Sequence, residues 1–177
     1  MRLTILTILA ATAALAGCAT APKAPASPTY VDAGRFRAIA VESVHIAPSA
    51  TTLSAADRAT MERKLHYALV DAIPVSARAA KPGKGVLQVK ITVTQLDTAN
   101  PGVNAVSSAL IAVPLDRGSI AFDATFFDQP GGAAIGSTTV RQKGKMLDVK
   151  GNFSRYGAAV GALRDWGTGL AGSLARS

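Results

Sequence analysis

Apolar and polar residues alternate most regularly between positions 86 and 96. Leu87, Val89, Ile91 and Val93 fall on one side, and Gln88, Lys90, Thr92 and Thr94 on the other. A period of two belongs to a strand with one face in the core and one in water, so a half-buried β-strand is expected here. Ile120, Phe122, Ala124 and Phe126 repeat the pattern, with Asp123 and Thr125 opposite. The turn Gln129-Pro130-Gly131-Gly132 then leads into a returning strand over 134–142, which makes a meander. Residues 36–46 (FRAIAVESVHI) are β-branched and mostly apolar, and Pro48 ends them; they suit a more deeply buried strand.

The period changes to that of a helix twice. Met61, Leu65 and Leu69, with Ala68 and Ala72, form one apolar stripe, and Ser54 followed by Asp57 resembles a capping box. A helix over about 55–73, stopped by Pro74, is predicted. After Ser154, a possible cap, Tyr156, Val160, Leu163, Trp166 or Gly167, Leu170 and Leu174 share a face. Glycines at 157, 161, 167, 169 and 172 weaken this second helix, and their retention is expected to reflect close packing against a sheet.

Residues 105–115 (AVSSALIAVPL) carry no charge and follow an Asn-Pro-Gly loop. The favoured expectation is a buried irregular segment or short helix under the sheet. The alternative is an exposed apolar flap that touches lipid or a second protein through Leu110, Ile111 and Val113. The element order gives an α+β fold, a two-layer sandwich with a mostly antiparallel sheet of about four strands and two helices packed on one face. No fixed-period repeat is visible.

The first seventeen residues have another logic. Arg2 precedes a thirteen-residue uncharged run over 3–15, and Ala16 and Gly17 follow. This is the shape of a secretory signal peptide, too short for a spanning helix of about 20 residues. Leu15-Ala16-Gly17-Cys18 resembles a lipobox, in which a peptidase cuts before the cysteine and the thiol carries a diacylglycerol. Cys18, the only cysteine, is therefore expected to be an attachment point, and an intramolecular disulfide is impossible. Ala19, where aspartate would favour inner-membrane retention, points to the outer membrane of a Gram-negative cell, facing the periplasm. Residues 18–29, with prolines at 22, 25 and 28, form a Pro/Ala-rich tether, and 30–177 are read as one α+β domain.

Charge narrows the partners. Without Arg2, 18 basic side chains stand against 11 acidic ones. Arg141, Lys143, Lys145, Lys150 and Arg155 oppose only Asp148 between 141 and 155, which makes them candidate contacts for an anionic envelope polymer or phospholipid headgroups. A solvated basic surface is the plainer explanation. Nucleic acid is not expected for a tethered periplasmic domain, and no aromatic interleaving supports it.

Catalytic signals are sparse. His45 and His66 match no metal-ligand spacing, no Gly-x-Ser-x-Gly elbow occurs, and only two glutamates accompany nine aspartates. No cofactor, metal site or catalytic residue is expected. The chain reads as a non-enzymatic binding or assembly module. The alternatives are a carrier of a lipid or other envelope ligand, with a cavity lined by Ile111, Val113, Phe122 and Phe126, and a tethered hydrolase using His45 or His66.

Three groups of residues carry a family likeness: Tyr30-Val31-Asp32-Ala33-Gly34 leading to Phe36, Asn100-Pro101 with Asn104-Ala105-Val106-Ser107, and Gly151-Asn152-Phe153-Ser154-Arg155-Tyr156-Gly157 with Ala162-Leu163-Arg164-Asp165-Trp166. In their order and spacing the chain resembles an uncharacterised family of predicted Gram-negative outer-membrane lipoproteins, a domain of unknown function. The resemblance implies an envelope lipoprotein and brings no catalytic residues with it. Members often have a longer apolar stretch near 105–115, so this chain resembles a compact version.

Overall fold

A computed structural model describes residues 31, 36–78, 85–111, 116–128, 131–145 and 154–175. The segments read as signal and tether, Cys18 among them, lie outside these residues, as do Val113, Lys150 and the side chains of Ile111 and Leu174.

Four strands form one sheet in the order β1-β2-β3-β4, with β1 at Phe36–Ile46, β2 at Gly85–Asp97, β3 at Ser119–Phe127 and β4 at Ala134–Lys143. The last three are the antiparallel meander that the alternation predicts. β1 instead runs parallel to β2, from Phe36 opposite Gly85 to Ile46 opposite Val93. A parallel neighbour needs a crossover, and α1 (Ala55–Ala72) with the short α2 (Val75–Arg78) supplies it. The sheet is thus mixed, with two of its three pairings antiparallel.

α1 begins where its cap predicts. Ser54 Oγ accepts from the Asp57 N–H at 3.1 Å and donates to Asp57 Oδ2 at 2.7 Å. Met61, Leu65 and Leu69 of its buried stripe pack with Leu87, Val89, Ile91 and Val93 of β2 in one core, and Ala68 is buried on the same stripe. The final helix, α4 (Gly157–Ala175), adds Ala159, Ala162, Leu163 and Ala171 to the same core. Each large side chain removed from water here stabilises the fold by about 1.5–3 kcal/mol. Trp166 of α4 meets Phe122 edge-on at 5.5 Å and stacks on Phe126 at 6.4 Å. α1 and α4 cover one face of the sheet, and the other is polar: Lys90 and Thr94 are exposed, and Thr139 Oγ1 donates across to Asp123 Oδ1 at 2.6 Å.

Of the glycines of α4, Gly167 serves a different contact from the one expected. A Cβ at Gly167 would lie 2.7 Å from Leu69 Cδ1 and 3.3 Å from the Ala72 Cβ, both on α1, while Gly169 and Gly172 face open space. The close approach is helix to helix, because α4 packs beside α1 as well as over the sheet.

Candidate functional site

The connection between β2 and β3 is built differently from the rest. Asn100 opens it as a helix cap: its Oδ1 accepts from the N–H groups of Gly102 at 3.0 Å and Val103 at 3.2 Å, and Pro101 occupies the first helical position. Asparagine at the cap and proline just inside are a helix-start signature, and α3 (Pro101–Ile111) follows.

A polar clamp holds its base. Asn104 Oδ1 accepts from the Asp116 N–H at 2.8 Å, and Asn104 Nδ2 donates to the Asp116 carbonyl. Asp116 Oδ2 in turn accepts from the Asn100 N–H at 2.8 Å. Below the clamp, Gly118 adopts φ +64°, and a Cβ there would meet the Asp97 carbonyl oxygen at 2.8 Å. Glycine is required on both counts, and it lets the two chain crossings close on each other.

This arrangement turns α3 inside out. Asn104 is 0% exposed and Ser107 5%, and these are the buried polar residues among those described. Val103 is 44% exposed and Leu110 77%. Seven residues apart, they sit two turns along one side of the helix. A surface helix ordinarily does the opposite. The expectation that 105–115 lies under the sheet is therefore overturned for the described part: it is a helix, but hydrogen bonds at its inward side attach it and its apolar side faces outward. Ser107 Oγ donates to the Asn104 carbonyl at 3.3 Å, which satisfies the second inward polar group locally.

Basic residues gather at the same end of the sheet. Lys143, at the end of β4, pairs in register with Ser119; the Arg155 carbonyl accepts from the Ala99 N–H at 3.2 Å; and Arg117 directly follows the clamp. Lys143 and Arg155 are exposed. The Arg155 guanidinium lies 5.7 Å from the centre of the Tyr156 ring, a cation–π distance. Lys145 is drawn to Asp165 at 2.6 Å, and Arg141 lies on β4 opposite Ala121. Of the predicted basic group, Arg141, Lys143, Lys145 and Arg155 are thus brought to one region; Lys150 is not described. Arg117 was missed because, read along the chain, it adjoins an apolar run and not the basic stretch.

The histidines belong to another edge. His45 Nδ1 lies 2.9 Å from Glu62 Oε1, which also accepts from the Ile46 N–H at 2.8 Å. His66 lines a shallow groove with Glu42, Ser43, Glu62 and Tyr67, its ring edge-on to Tyr67 at 6.1 Å. Among the described residues, no three His, Cys, Asp or Glu side chains converge as a metal site.

Among solved structures, the PelC dodecamer from Paraburkholderia phytofirmans is similar in two crystal forms. Each is 12% identical, with TM-scores of 0.47 and 0.44, covering 82% and 81% of this chain and 94% and 93% of that one. Protein XCC0632 from Xanthomonas campestris, of family-model DUF330, is 17% identical with a TM-score of 0.42, covering 82% of this chain and 87% of that one. No curated protein matches. The model of one family matches residues 21–170, nearly the whole length beyond the signal-like segment, and the chain belongs to that family, described as "Protein of unknown function (DUF3313)".

Proposed function

We propose that the protein is a lipid-anchored, periplasm-facing binding or assembly module of the outer membrane, that it works without catalysis, and that α3 with its neighbouring cations is its contact surface. The observation that carries this reading is the inverted helix: a polar clamp holds Val103 and Leu110 toward the surroundings, and exposed apolar area of this kind marks interaction sites. The sequence Leu15-Ala16-Gly17-Cys18 supports the anchor.

The carrier alternative is less well supported, since Trp166 fills the space beside Phe122 and Phe126 where its cavity was expected. The hydrolase alternative gains little from His45, whose partner is Glu62.

Crosslinking and pull-down of the native protein from envelope fractions tests the module. Recovery of a specific envelope component that is lost with L110D is expected, and recovery of none would count against it. Cys18→Ser tests the anchor: an uncleaved precursor is expected, whereas normal processing to a soluble product would sink the lipoprotein reading.

A further inference from the structure

We propose that α3, together with Arg117, Lys143 and Arg155, docks on an anionic lipid bilayer, with Val103 and Leu110 entering the headgroup layer. This deepens the reading of the protein as a membrane-anchored module and rests on it, by naming what the contact surface touches.

The outward side of α3 is carbon. Gly102, Val103, Ala105, Ala109 and Leu110 are exposed, and the whole segment 101–115 lacks a charge. A protein partner is usually gripped by aromatic or arginine anchors seated in pockets, and this side of α3 carries neither. A bilayer interface makes no such demand: it accepts a short apolar face about 5–10 Å deep and holds it by buried area and by cations at the rim.

The rim is present. Arg117, Lys143 and Arg155 lie around the base of the helix, while the carboxylates nearby face the protein's own donors. Asp116 accepts from Asn100 and Gly118, Asp97 from Gln95 and Ser119, and Asp165 from Lys145. Each basic side chain near an anionic surface contributes about 1 kcal/mol, roughly fivefold in occupancy. Chain length permits the contact as well. From Cys18 to Phe36 the chain can extend about 60 Å, against about 35 Å for β1, so a lipid at Cys18 leaves either end of the sheet free to touch the same membrane.

The test places a fluorescent label at A109C in the native protein, reconstituted into phosphatidylethanolamine vesicles with about one third phosphatidylglycerol. The proposal expects quenching by a lipid-borne quencher and protection from aqueous iodide. The lipid-quenched fraction should fall about fivefold or more with K143E and R155E combined, and also in vesicles of phosphatidylcholine alone. L110D should abolish it while leaving the circular dichroism of the domain unchanged. Full access to iodide on anionic vesicles would overturn the proposal. Protection from both quenchers would overturn it too, in favour of a protein surface or a second copy over α3. The anchor is read separately, from the mass of the Cys18 peptide. If Cys18 carries no lipid, the anchored reading fails, and the same quenching is measured on added vesicles with Cys18→Ser in the labelled chain.

Discussion

The side chain of Asn104 spans the backbone of Asp116, accepting from its N–H and donating to its carbonyl. Asn104 is fully buried and Asp116 partly so; each bond lost on truncating Asn104 leaves a partly shielded backbone group of Asp116 unpaired, at about 1 kcal/mol. Asn104→Ala should therefore free α3 from its base while the sheet and its two covering helices stay folded. Hydrogen exchange over 101–116 should quicken strongly, with little change in the core strands. Uniform loss of protection would instead mean that the clamp supports the whole domain.

Gly167 and its neighbours separate packing from propensity. Gly167→Ala drives a methyl into the fully buried Leu69 and is expected to cost about 1–2 kcal/mol. Gly169→Ala and Gly172→Ala meet open space and should each add up to about 1 kcal/mol through helix propensity. Urea denaturation of the three variants checks the opposite signs.

At the β1 edge, Glu62 provides an acceptor for the Ile46 N–H and a partner for His45 through one oxygen. Glu62→Ala strands the backbone donor and is expected to cost about 1–2 kcal/mol. Glu62→Gln keeps an acceptor and loses only the partly exposed pair, at less than about 1 kcal/mol. Equal losses in thermal melts would show that charge, not the backbone bond, sets the value of this contact.

Trp166→Ala empties the space beside Phe122 and Phe126, at about 2–3 kcal/mol, since the indole is only half-buried. Trp166→Phe should recover most of that in the same denaturation series. Appreciable binding of a small apolar dye to the alanine variant, and none to the parent, would show that this filling is what closes the gap.

Hydropathy made the scaffold legible and the candidate site misleading. The alternation of Leu87, Val89, Ile91 and Val93 and the stripe of Met61, Leu65 and Leu69 placed the core faces of β2 and α1 correctly, because period links side chains to a face wherever the face is covered. The uncharged run at 105–115 states only that its side chains avoid water; it does not state whether anything covers them. The inversion depends on Asn104 meeting Asp116, twelve positions along, a pairing that no period encodes. Asn100-Pro101 did carry a local sign, a cap followed by proline, that would have started the helix four residues earlier than the apolar run alone. The parallel pairing of β1 was likewise invisible, since alternation fixes faces but leaves strand direction open.

That pairing has a mechanical consequence. The chain enters β1 at Phe36, and the bonds from β1 to β2 extend along the strand as far as Ile46, where Glu62 fastens the far end. A pull on the N-terminal segment directed along β1 meets these bonds side by side, so they resist in shear together. A pull across the sheet would open them one after another. The direction of a force applied through the N-terminal segment then determines whether these bonds of the edge strand share the load or fail in turn.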